Sequence, residues 1–233
     1  MKKVLFFVML VFVTGLLFSC SSDDPNNGGQ GGGPPGSTGS LAYEGQTYQM
    51  VIIGTQTWMA ENLNYNPGTG NSACYDNGPN NCNTYGRLYD WSTAMDLSPT
   101  CNENSCSSQI QAKHRGICPS GWHIPSNDDW DILMNYVGYE TAGKHLKSRN
   151  GWEPYSGIEN LDTYGFSALP GGSGGWDGSF HGVGLISYWW SASERENSSH
   201  YVYYRIIHYD SDYVIRSNNS KFSSLHYVRC VRD

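Results

Sequence analysis

The chain has 233 residues, with 14 Lys and Arg against 21 Asp and Glu, a formal charge of −7. That acidic balance excludes a surface built to neutralise nucleic-acid phosphates or to adhere by charge to anionic lipid. Aromatic residues make up 14 % of the chain and there are 28 glycines; with Leu and Ala scarce, this excludes an ordinary helical bundle and suits a loop-rich β or α+β domain.

The first residues read as a targeting segment. Lys2 and Lys3 precede an apolar run over 4–18, broken only by Thr14 and Gly15. The run is short for a membrane span and fits the hydrophobic region of a signal peptide. It ends in Leu17-Phe18-Ser19-Cys20, which resembles the bacterial lipobox, in which the cysteine thiol receives a diacylglycerol. Two or three acyl chains anchor stably where one does not, at about 0.8 kcal/mol per buried methylene. Expected are cleavage after residue 19, lipidation of Cys20, and attachment to the outer membrane of a bacterial envelope. Loss of 1–19 removes Lys2 and Lys3 and no acid, taking the charge from −7 to −9. Asp23 and Asp24 resemble the surface-export signals of Bacteroidetes lipoproteins, so the expected facing is outward. Residues 20–40 are Asn, Gly, Pro and Ser with little to bury, a flexible tether.

About 190 residues follow, one domain with a sizeable core. Besides Cys20 there are six cysteines: Cys74, Cys82, Cys101, Cys106, Cys118 and Cys230. An even number in an exported chain reads as disulfides, and six cysteines allow 15 pairings. The favoured set is Cys74–Cys82, Cys101–Cys106 and Cys118–Cys230, two short loops and one long one. A zinc site is the alternative, disfavoured because no CxxC pair is present and the histidines lie elsewhere.

In chain order, 47–53 and 57–59 form an opening hairpin about Gly54-Thr55-Gln56. Residues 64–84 are turn-rich. Residues 86–96 predict a helix from Leu88, Trp91 and Met95, and 97–117 a loop. Ser126 with Asp129 three positions on is a helix-capping pattern, and Trp130, Leu133, Met134 and Val137 follow on one face, with Gly138 as terminator. A short helical piece follows at 141–147. Strands are predicted at 165–169, 187–192, 201–209, 213–218 and 225–232, with a hairpin connection at 209–213. Gly171-Gly172-Ser173-Gly174-Gly175 lacks the Gly-Lys-Ser/Thr of a phosphate loop and reads as a mobile loop.

Several blocks then carry a resemblance: Ile53-Gly54-Thr55-Gln56-Thr57-Trp58-Met59-Ala60-Glu61-Asn62-Leu63, Tyr85-Gly86-Arg87-Leu88-Tyr89-Asp90-Trp91, Cys118-Pro119-Ser120-Gly121-Trp122-His123-Ile124-Pro125, Tyr188-Trp189-Trp190-Ser191-Ala192-Ser193-Glu194 and Val228-Arg229-Cys230-Val231-Arg232-Asp233. In this order they closely resemble the Fibrobacter succinogenes major paralogous domain, over 43–233, a family of exported proteins and lipoproteins without an assigned activity. The pattern is also similar, more distantly, to the C-type-lectin-like fold and its formylglycine-generating-enzyme branch. The resemblance implies an α+β domain over 41–233: about two helices, a twisted antiparallel sheet and long disulfide-braced loops.

Candidate sites follow. Trp176, Tyr188, Trp189, Tyr201 and Tyr203 are candidate ligand-binding aromatics, because ring faces stack on sugars and on protein partners. Alternation along a strand sends about half of such residues into the core. Trp58, Trp91, Trp122, Trp130 and Trp190 sit in the framework blocks and are expected to be core. Asn160, Asp162 and Glu194 are candidate calcium ligands, set against a turn-capping role. No catalytic residue stands out: the seven histidines are scattered, and His123 reads as packing. The expected role is non-enzymatic, a surface domain for glycan or a protein partner. The alternatives are a structural module of the envelope and, third, a lectin-fold enzyme.

Overall fold

The computed structural model describes residues 39–233. Cys20, the targeting segment and most of the tether lie outside the described residues. Among the described residues no helix is long and apolar enough to cross a membrane.

The architecture is α+β. Strands β1 (Gly39–Tyr43), β2 (Gln46–Ile53) and β3 (Gln56–Met59) form an antiparallel meander, closed by β12 (Val231–Arg232), in the order β1-β2-β3-β12. Strand β1 thus includes Gly39 and Ser40, which precede the expected domain boundary at residue 41. The second sheet runs β10 (Val214–Ser220), β9 (Tyr201–His208), β8 (Ile186–Glu194), β6 (Gly171–Gly175), β11 (Ser224–Tyr227), β5 (Leu88–Tyr89), β4 (Ser72–Ala73), with β7 (Phe180–Val183) paired to β6. Helices α1 (Pro79–Tyr85), α2 (Trp91–Ala94), α3 (Asn127–Val137) and α4 (Ala142–Leu146) pack around them.

The capping pattern at Ser126 forms as expected. Its Oγ accepts from the Asp129 amide at 3.1 Å, and its own amide donates to Asp129 Oδ2 at 2.8 Å. Helix α3 buries Trp130, Leu133, Met134 and Val137 and ends at Gly138. The Trp130 ring lies 4.8 Å from that of Trp58, whose strand pairs with both β2 and β12.

Several expectations about single elements are corrected. The helix over 86–96 shrinks to Trp91–Ala94, because Leu88 and Tyr89 are drawn into β5 by pairing with β11, and the Asp90 carboxylate caps the helix behind them at 2.8 Å from the Thr93 amide. The turn-rich stretch 64–84 contains α1, which buries only Cys82 and so shows no apolar stripe. The strand at 165–169 does not form: Ser167 takes a left-handed φ of 52°, and Ala168 only bridges Lys147. The strand at 225–232 splits in two, as the chain leaves the larger sheet after Tyr227 and joins the smaller at Val231.

The glycine run at 171–175 is no mobile loop but β6, bonded to β7, β8 and β11. Its glycines are required by close approach. A Cβ on Gly171 would stand 2.4 Å from the Tyr227 hydroxyl, and one on Gly172 would stand 2.3 Å from the His181 carbonyl oxygen.

Apolar side chains are buried on both faces of β8. Trp189 packs with Trp58, Trp130, Phe166 and Tyr227; Trp190 packs with Trp91, Trp122 and the Cys118–Cys230 region. Trp190 Nε1 donates to the Tyr89 carbonyl at 2.7 Å, and Trp91 Nε1 to that of Ser191 at 3.0 Å. The five framework tryptophans are all buried, as expected. The disulfides are Cys74–Cys82, Cys101–Cys106 and Cys118–Cys230, with Cα separations of 4.9, 5.6 and 5.9 Å; the favoured pairing is the one found.

His226 sits in the core between the rings of Tyr188, Trp190 and Tyr204, at 4.9, 4.1 and 5.0 Å. Its Nδ1 faces the Leu225 carbonyl at 3.0 Å and its buried Nε2 has no partner. Burial pushes its pKa down to about 3. The unfolded chain takes up this proton near pH 6.5 and the folded one does not, so stability is full above 6.5 and falls as pH drops toward 3. Between pH 7.5 and 4.5 the loss from this group is on the order of 2–3 kcal/mol. Urea unfolding at the two pH values should show that loss in the parent and not in H226F.

Candidate functional site

Of the five candidate aromatics, the structure presents two openly. Trp176, in the turn between β6 and β7, is 61 % exposed. Its ring stacks at 5.7 Å and 29° on Phe222, itself 49 % exposed in the turn between β10 and β11. The pair is held by backbone as well as rings: the Trp176 amide donates to the Ser223 carbonyl at 3.3 Å. Behind it, Asp177 Oδ1 accepts from the Ser179 amide at 3.0 Å and from its hydroxyl at 2.6 Å, which closes the turn. Tyr201 is the second exposed aromatic, with the Arg195 guanidinium 5.8 Å from its ring centre. Tyr201 pairs with Ser220, two residues before Phe222, so the start of β9 and the β10–β11 turn share one end of the sheet.

The others are placed differently. Tyr203 is half-buried with Arg216 over its ring, and Tyr188 is half-buried against His226. Trp189 is fully buried and is withdrawn as a ligand contact. Alternation along β8 does send it to the face opposite Trp190, but apolar side chains cover both faces, so neither is exposed. Its Nε1 donates to Asn62 Oδ1 at 2.7 Å. Phe222, which stacks on Trp176, carried no signal in the sequence: it lies in a turn, and only pairing of β10 and β11 to their neighbours brings it there.

Two of the three calcium candidates, Asp162 and Glu194, are engaged by other partners. Asp162 accepts from the Ser167 amide and hydroxyl, at 2.8 and 2.7 Å, a local turn closure. Asn160 Oδ1 is buried without a partner. Glu194 has its cation already: the buried Lys221 ammonium ion-pairs with Oε1, while the Cys106 amide at 2.9 Å and the Ser105 hydroxyl at 2.6 Å complete the carboxylate. These hydrogen bonds and Lys221 outweigh the upward push of burial and hold the Glu194 carboxyl below its usual range. Asp162 and Glu194 therefore belong to separate networks.

A cleft of about 350 Å³ lies elsewhere, walled by Gln46, Asn64, Thr84, Tyr85 and Ser167, with Arg229 at its floor. The Arg229 guanidinium is committed inward. It donates from Nε and Nη2 to Asn62 Oδ1, at 3.0 and 2.7 Å, and from Nη1 to the Phe166 carbonyl. It also lies over the Phe166 ring at 4.3 Å. Burial lowers its pKa to about 9. With that charge turned to the core, the polar groups of the cleft walls are amides, hydroxyls and the Glu61 carboxylate.

The motif blocks are thus the parts that meet in the core: Asn62 accepts from both Trp189 and Arg229, whose guanidinium lies 5.8 Å from the Trp189 ring centre, and Trp91 donates to the carbonyl of Ser191 in the Trp189 block. The Fibrobacter succinogenes major domain matches residues 51–232. The chain belongs to this family. No curated protein and no solved structure matches it. In this member of the Fibrobacter succinogenes major domain family, all six cysteines of the described residues are disulfide-bonded, so none is a free thiol there.

Proposed function

We propose that this chain is a lipid-anchored protein of the bacterial envelope, displaying a non-enzymatic, C-type-lectin-like domain that binds glycan. The observation that carries the reading is the Trp176–Phe222 pair. Two large rings, stacked on each other and both open to water, are unfavourable to expose unless a partner covers them. Their tied turns present a stiff apolar face, to which the C–H face of a pyranose is complementary and which costs little entropy to use. The neighbouring Tyr201 and Arg195 add a polar tip and a donor at the same end. The cleft above Arg229 supports the reading less, since its charge is spent within the fold. The fully paired cysteines favour a binding role over the redox chemistry of the enzyme branch.

A glycan array and polysaccharide pull-down with the full chain in detergent test this. Binding is expected, and W176A should weaken it about tenfold, equivalent to about 1.4 kcal/mol, while leaving the melting temperature unchanged because both rings are at the surface. Failure to bind any glycan, or binding indifferent to W176A, would sink the reading. A structural module of the envelope would then be the better account, one that the three disulfides already favour.

A further inference from the structure

The helix-capping block and the last residue of the chain converge on one spot. A ring nitrogen of His123, a carboxylate oxygen of Asp129 and one of Asp233 all lie within 4.8 Å of one another. His123 is buried, and its Nε2 stands 3.3 Å from Asp129 Oδ2 yet has no hydrogen-bond partner. Two donors that share a zinc ion, each at about 2.0–2.2 Å in tetrahedral geometry, stand about 3.3–3.5 Å apart. The observed approach, close but not aligned for a hydrogen bond, has that spacing.

We infer that His123, Asp129 and Asp233 form a binding site for a divalent transition-metal ion of the zinc class. Two of the three ligands are rigidly placed. His123 exchanges backbone hydrogen bonds with Val231, at 2.9 and 3.0 Å, which fixes it against β12 two residues from Asp233. Asp129 Oδ2 is oriented by the Ser126 amide at 2.8 Å and hydroxyl at 2.7 Å, the kind of outer hydrogen bonding that supports metal-ligating carboxylates. Asp233 is the adjustable ligand, a partly exposed side chain that closes the remaining distance by rotation. An imidazole among the donors selects zinc-like ions over calcium and magnesium, which take oxygen alone.

The competing cation is Lys113. Its ammonium ion-pairs with Asp233 Oδ2, and its side chain is 62 % exposed, so it can leave without losing a buried position. A metal must displace it, which makes Lys113 a negative determinant of affinity.

The test is a titration of the full chain, stripped with chelator, with zinc by calorimetry and with cobalt by its visible ligand-field bands. One ion per chain is expected at micromolar metal. D233N, a change at the surface, should weaken binding about tenfold or more, and K113Q should tighten it severalfold. Calcium should not compete. The absence of binding at micromolar metal, affinity unaltered by D233N, affinity not raised by K113Q, or displacement by equal calcium would each overturn the site. None of these readouts depends on glycan binding, so this inference and the proposed function fail separately.

Discussion

Replacement of Cys118 and Cys230 by alanine is expected to lower the unfolding free energy by about 4.7 kcal/mol, the largest effect of any single crosslink in this chain. The two residues are 112 apart in sequence, and the bond confines a long loop of the unfolded ensemble. Cys101 and Cys106 are 5 apart, and on the same chain-entropy argument their loss costs about 2 kcal/mol. The ratio between the two is the test, since both pairs are buried and alanine leaves small cavities in each. Urea unfolding of C118A/C230A and C101A/C106A should show the long-loop variant markedly less stable. Equal losses would mean that the bond acts through local packing and not through the unfolded state. The structural consequence should be specific as well. Cys230 receives the Met59 amide on its carbonyl, at 3.1 Å, and stands between the last strands of the two sheets. Loss of its bond should loosen the junction between β11 and β12 first, visible as faster amide exchange at Met59 and Leu63.

The second large effect belongs to Lys221. Its ammonium is fully buried and is shared among the Glu194 carboxylate and three carbonyls, those of Cys101, Asn104 and Ser199, at 3.1, 3.0 and 3.0 Å. It also lies 4.5 Å from the Trp91 ring centre. Through these contacts one side chain ties the Cys101–Cys106 loop, the end of β8 and the β10–β11 turn. K221M should cost about 3–5 kcal/mol, because it leaves a carboxylate with little solvent and no counter-ion. K221M/E194Q should recover much of that loss, since the amide still accepts from the Cys106 backbone and carries no charge. The pH dependence should reverse. In the parent the Glu194 carboxyl is held low, so its contribution is present above the unfolded value and is lost as pH falls through the folded one. In K221M burial acts without the ammonium and raises the carboxyl, so mild acid should partly restore stability. A K221M protein as stable as the parent would show that the buried pair breaks even with its desolvation cost. Phe222 follows directly on Lys221, so the same variant should also disturb the Trp176 face.

The legibility of the fold follows from which signals are local. The cap and apolar face of α3, the opening hairpin, the hairpin at 209–213 and the framework tryptophans were readable because each rests on residues a few positions apart. The pairing of the six cysteines was readable in outline, because short loops and one long one were the simplest arrangement. The glycine run misled, since a missing Cβ signals freedom in a loop and close approach in a sheet alike; only the Tyr227 hydroxyl packed against Gly171 distinguishes them. Residues 86–96 misled because Leu88 is buried by strand pairing and not by a helix face.

The candidate site was half legible. Of the candidate aromatics, Trp176 and Tyr201 are exposed, while Trp189 is core. Alternation assigns residues to faces, but whether a face is wet depends on what packs on it. The interior cations, Lys147, Arg205, Lys221 and Arg229, were invisible, since their acceptors are mostly backbone carbonyls and amides far away in sequence. By itself, then, the sequence determined the family, the disulfide framework and the main helix, all properties of short motifs and local periodicity. Only the tertiary structure decided which aromatics face water, which charges lie inside, and that His123, Asp129 and Asp233 meet, because each depends on contacts between segments that chain order does not relate.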